Sequence, residues 1–100
     1  MISMNFSNNN KTGIGHISIS YTQHAIDRMI DRGITRQEVE FTLAHPIRSK
    51  SAQHDRKEIQ GWVVRAGQKK LLRVVSEGDI TVLVITVMVT SKFEKYGVSE

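Results

Sequence analysis

The chain has 100 residues, 39% of them hydrophobic and 24% charged, a composition that fits one globular domain and leaves no room for a second core. It has no cysteine, which excludes disulfide scaffolds, thiolate zinc sites and cysteine nucleophiles. Its longest apolar run, residues 82–89, is far shorter than the ~20 residues that span a bilayer, and residues 1–10 lack the basic start and apolar centre of a signal peptide, so a soluble, unexported chain is expected.

Residues 1–16 are polar and glycine-punctuated and are expected to form a flexible leader, with residues 17–100 as the single domain. His16-Ile17-Ser18-Ile19-Ser20 alternates as a short edge strand would. Thr22 is placed to cap a helix over residues 23–32 that Gly33 closes. Thr35-Arg36-Gln37-Glu38 has the form of a capping box and opens a second helix to about residue 44, stopped by Pro46. A strand over residues 47–52 is weakly patterned. Period-two alternation then predicts strands over residues 57–66, 71–76 and 80–90, separated by turns at Gly67-Gln68 and Glu77-Gly78-Asp79. The fold class read from this order is α+β: two helices packed on one face of an antiparallel, four-stranded sheet. In the last strand Leu83, Ile85, Val87 and Val89 are expected to face the helices. Val82, Val84, Thr86, Met88 and Thr90 then share the other, open face with Arg73.

The net charge of +4 is unevenly placed. Residues 48–73 hold eight basic side chains (Arg48, Lys50, Arg56, Lys57, Arg65, Lys69, Lys70, Arg73) against Asp55 and Glu58 alone. Such an excess suits a polyanion, because each phosphate neutralised releases counterions, although lysines also solvate hairpin turns. On the first helix His24, Arg28 and Arg32 fall at i, i+4 and i+8, beside the apolar stripe of Ile26, Met29 and Ile30. A histidine can move a proton near neutral pH and an arginine one turn away can hold a phosphate; a solvated face paired with Asp27 and Asp31 is the simpler reading. His54 is a second acid/base candidate or a turn residue. Four histidines without ligand spacing imply no metal site. Phosphate-binding loops, nucleophile elbows and paired carboxylates are missing from the sequence.

These residues together resemble a known family. Tyr21-Thr22-Gln23-His24-Ala25, Arg28-Met29, Arg32-Gly33-Ile34-Thr35 and Glu38-Val39, followed by a Leu-Arg-Val-Val strand and an Ile-Thr-Val strand, are similar to a family of small bacterial domains of formerly unknown function. That family is allied to RelE/ParE-type toxins and to the barnase–EndoU–colicin–RelE (BECR) ribonuclease fold. The ending Val84-Ile85-Thr86-Val87-Met88-Val89-Thr90-Ser91-Lys92-Phe93-Glu94-Lys95-Tyr96 resembles the last strand and tail of toxin domains from contact-dependent growth-inhibition and other polymorphic toxin systems. The resemblance runs from about residue 17 to residue 96. Met88 stands where many such toxins carry an aromatic, which weakens any carry-over of a tyrosine role to that position.

The expected function is a metal-independent, cofactor-free endoribonuclease toxin. It would act on RNA in the bacterial cytoplasm, in some systems after delivery into a target cell, and a cognate antitoxin or immunity protein would restrain it. RNA supplies its own 2′-hydroxyl nucleophile, so the protein need provide only proton transfer and phosphate stabilisation. The candidate catalytic residues are His24 as general acid or base, Arg28 and Arg73 on the scissile phosphate, Thr86 as hydrogen-bond donor and Lys92 at the leaving group. Arg32, Arg65, Lys69, Lys70 and Tyr96 are candidates for substrate binding. The alternative is a non-catalytic RelE/ParE-like module that binds a protein or inhibits a nucleic-acid enzyme.

Overall fold

A computed structural model describes residues 2–5 and 18–92. In chain order the elements are β1 (Ile2–Asn5), β2 (Ser18–Tyr21), α1 (Gln23–Arg32), α2 (Arg36–Ala44), β3 (Arg48–Ala52), β4 (Arg56–Arg65), β5 (Gln68–Glu77) and β6 (Thr81–Thr90). Both helices end where local chemistry dictates. The Thr22 hydroxyl accepts from the Ala25 amide, and Gly33 adopts the left-handed conformation (φ 64°) after the last turn of α1. At α2 the capping box is complete: Glu38 N–H donates to the Thr35 hydroxyl at 3.1 Å and Thr35 N–H to the Glu38 carboxylate at 3.0 Å.

The class is α+β, as expected, but the sheet differs from the four antiparallel strands read from the sequence. It has six strands in the order β1-β2-β6-β5-β4-β3, and β2 runs parallel to β6, so the sheet is mixed. β2 is an interior strand rather than an edge, because Ile2–Asn5, inside the stretch expected to be a leader, pairs with it as β1. The weakly patterned segment at 48–52 is a full strand at the opposite edge. Long-range pairing is what period and turn signals do not carry.

Both helices lie on one face of the sheet. Ala25 and Met29 of α1, Val39 of α2, and Ile59, Leu72, Val74, Val84 and Val87 from the strands are buried in one apolar cluster. The helices sit close because Gly61 on β4 has no side chain; a Cβ there would stand 2.9 Å from Thr42 on α2. The expected facing of β6 holds only in its second half. Val82 and Val84 are buried among the core residues while Leu83 and Ile85 are only partly covered, and Val87 and Val89 pack against the core further on. The reason is an irregularity in the β5–β6 ladder, where Ser76 pairs Val84 but Val75 pairs Thr86, leaving Ile85 as the extra residue of a bulge. One extra residue inverts the parity of everything before it. Among the described residues, no helix is long and apolar enough to cross a membrane.

Candidate functional site

The basic excess of residues 48–73 is reduced once the chain folds. Arg56 pairs with Glu77 (3.1 Å), Lys57 with Asp79 (3.0 Å), Arg65 with Glu38 (2.7 Å) and Arg73 with Glu58 (2.7 Å). Three of those acids lie outside the segment, so counting charges along the sequence overstates the field in space. Arg65, a candidate for substrate binding, is engaged as a clasp. Its guanidinium donates to both Glu38 oxygens at 2.7 Å and to the Gly33 carbonyl at 2.9 Å, tying the end of β4 to the corner between the helices. Hydrogen bonding from Arg65 holds the Glu38 carboxyl below the usual range.

The face away from the helices carries the polar chemistry expected but is only partly open. Register places Glu58, Gln60, Trp62, Leu71, Arg73, Thr86 and Met88 on it, and Glu58, Gln60 and Leu71 are buried. Arg73 donates through Nε to Glu58 Oε2 (2.9 Å) and through Nη2 to Oε1 (2.7 Å), and its Nη1 lies 3.5 Å from the Met88 sulfur. Gln60 Nε2 donates to Glu58 Oε2 at 2.6 Å, and the Gln60 Oε1 is buried without a hydrogen-bond partner among the described residues. Arg73 holds the Glu58 carboxyl below the ordinary range in spite of burial. Glu58 was not among the expected site residues, although the sequence holds a signal for it. A turn at Ala66-Gly67, both left-handed, sets Gln60 opposite Arg73 and Glu58 on the diagonal.

Around this centre lie further cations. Arg48 and Lys50 on β3 stand opposite Gln60 and Glu58, and Lys69 Nζ sits 4.7 Å over the Trp62 ring. Lys70 is paired with Val63 and is directed toward the other side of the sheet. Thr86 is partly exposed beside Val75. Lys92 is exposed, its amide donating to the Thr90 hydroxyl, and Tyr96 lies outside the described residues.

His24 and Arg28, with the substrate-binding candidate Arg32, are on α1 in the helix layer, whereas Arg73 and Thr86 are on the opposite face, so the expected catalytic residues are divided between the two layers. One link crosses the layers. The Thr22 hydroxyl donates to the Ile85 carbonyl at 2.8 Å and the Thr22 amide to the Val84 carbonyl at 3.0 Å, which fixes the start of α1 against the bulge just before Thr86. Of the three α1 residues, His24 lies nearest that junction in sequence. His54 stands in the β3–β4 turn with a left-handed backbone (φ 61°) and is exposed.

A separate polar pair lies under α2. The Tyr21 hydroxyl donates to Glu40 at 3.3 Å; burial pushes the Glu40 carboxyl above its usual range and, with the charge of Glu40, raises the Tyr21 phenol. Glu40 borders a small cavity of about 190 Å³ walled by Ile19, Leu43, Ile59 and Val82. Among the described residues, no three His, Asp or Glu side chains gather to hold a metal ion.

A family model described as a domain of unknown function, DUF4258, matches residues 21–89. The chain belongs to the DUF4258 family. The matched segment of this DUF4258 domain starts at the last residue of β2 and ends inside β6, so it contains both helices, the Arg73–Glu58 pair and Thr86, while β1 and Lys92 fall outside it. No curated protein and no solved structure matches the chain.

Proposed function

We propose that this DUF4258 domain is an RNA-directed toxin of RelE/ParE and BECR affinity, acting as an endoribonuclease in the bacterial cytoplasm and held in check by an antitoxin or immunity protein. The observation that carries this reading is the sheet face away from the helices, where Arg48, Lys50, Lys69 and Arg73 share a surface with Trp62. Cations interleaved with an aromatic are what a single-stranded nucleic acid needs, the former for its phosphates and the latter for a base. His24 is the proposed proton carrier, at the helix end tied to the bulge, and Thr86 the donor to a phosphate oxygen. Arg73 would meet a phosphate only by sharing its guanidinium with Glu58.

That shared guanidinium favours a second reading, a module that binds RNA or protein on this face without cleaving it. The discriminating experiment is incubation of the purified chain with total RNA in EDTA. Discrete fragments ending in 2′,3′-cyclic phosphate establish the ribonuclease; intact RNA in a stable complex establishes the module; no binding refutes both RNA readings.

A further inference from the structure

The outer surface of α2 carries an aromatic that the core does not use. Phe41 is 62% exposed, and its ring lies 4.8 Å from that of His45, tilted by 41°. The chain then passes Pro46 and an exposed Ile47 directly into β3, the last strand of the sheet. The path is fixed, because the Ile47 amide donates to the Gln60 carbonyl at 2.8 Å. Every residue from 44 to 51 is exposed, and no acidic residue occurs between Phe41 and His54.

The two sides of this edge differ in chemistry. Arg48 and Lys50, opposite Gln60 and Glu58, project to the cationic face. Phe41 and His45 lie on the helix side of the same edge. An exposed phenylalanine is poor surface for water and good surface for a nucleobase, whose π-face stacks on it with a gain of about 1–3 kcal/mol per base.

Resting on the RNA reading above, we infer that β3 is a spine around which a single RNA strand turns. The phosphates lie at Arg48 and Lys50 while one base crosses the edge to stack on Phe41 beside His45. A base can reach Phe41 only if it is unstacked and unpaired, so the subsite selects single strands over duplex. The positive edge argues for a polyanion rather than an apolar protein face.

The test compares three probes by fluorescence anisotropy at low salt: a labelled single-stranded oligoribonucleotide, its duplex, and a base-free ribose-phosphate strand of equal length. Phe41→Ala is expected to weaken the single strand about 5- to 150-fold, the range that corresponds to the stacking gain. Duplex and base-free strand should bind the variant as they bind the native chain, and Phe41→Tyr, which keeps the ring, should restore single-strand affinity. If native chain binds the single strand and Phe41→Ala binds it equally well, the stacking subsite is refuted while the RNA reading stands. If the native chain is a dimer that Phe41→Ala dissolves, the patch covers a second copy and the inference falls. If the native chain binds none of the probes, the RNA reading itself has failed.

Discussion

Replacing Arg73 by methionine should unfold the sheet more than it disarms a site. The Glu58 carboxylate and the Arg73 guanidinium are only 7% and 14% exposed as side chains, and two charge-assisted bonds of 2.7 and 2.9 Å join them. Arg73→Met leaves that carboxylate buried, with Gln60 still donating to it. Breaking a buried pair from one side costs about 3–5 kcal/mol, a large share of the ~5–15 kcal/mol that holds a domain together. At roughly 4–8 °C per kcal/mol for a domain of this size, the melting temperature at pH 7 should fall by about 12 °C or more. The double variant Glu58→Gln with Arg73→Met should recover much of the loss, since no charge is then stranded. The pH dependence has a definite sign. In the native chain Arg73 keeps Glu58 below the ordinary carboxylate range, so the pair stabilises above that range and its contribution disappears as pH falls through the lowered value. Without Arg73 the strongest influence lowering it is gone, so the carboxyl titrates higher than in the native chain and its protonation in acid relieves the stranded charge. Its deficit should therefore shrink from pH 7 toward about pH 4.5, near the ordinary value for glutamate. Differential scanning fluorimetry across that interval measures it. A drop under about 4 °C at pH 7, roughly 1 kcal/mol or less, would refute the structural role assigned to the pair.

Three further outcomes are expected. Exchanging Lys50 and Lys69 for glutamine should weaken RNA binding and flatten its salt dependence by about 0.7 in log–log slope for each phosphate no longer neutralised; an unchanged slope would show those lysines to be solubilising only. His24→Ala and Thr86→Ala should each abolish toxicity on induced expression while melting within a few degrees of the native chain, and a fully toxic His24→Ala would pass the acid/base role to His54. Arg65→Ala removes the clasp on Glu38 and Gly33, and because both side chains are about a third exposed the cost should be near 1 kcal/mol, read as a melting shift of about 4–8 °C without change in the RNA salt slope.

The helices were legible because their signals are local. Thr22, Gly33 and the Thr35–Glu38 box each satisfy backbone groups within a turn of themselves, and α1 runs over the residues those signals delimit. Strands β4, β5 and β6 showed themselves through alternation and tight turns. What stayed hidden depends on residues far apart: β1 finding β2, the parallel β2–β6 pair, and the ladder slip at Ile85. The site suffered most from register. A turn placed one residue late, at Gly67-Gln68 instead of Ala66-Gly67, moves Arg73 away from Gln60 and conceals its carboxylate partner Glu58. The Arg65–Glu38 clasp is hidden for a similar reason, since Glu38 lies 27 residues earlier and only the packing of α2 brings it near.

The bulge at Ile85 separates folding from aiming. Taking that residue out would leave Val82, Val84, Val87 and Val89 in unbroken alternation on the core side, so the strand itself does not need it. What it supplies is a carbonyl turned out of the ladder to meet the Thr22 hydroxyl, which at the same time accepts from the first turn of α1. A single oxygen atom on Thr22 thus docks a helix onto a strand and starts that helix, and a chain shortened by one residue could keep its sheet whole while pointing His24 elsewhere.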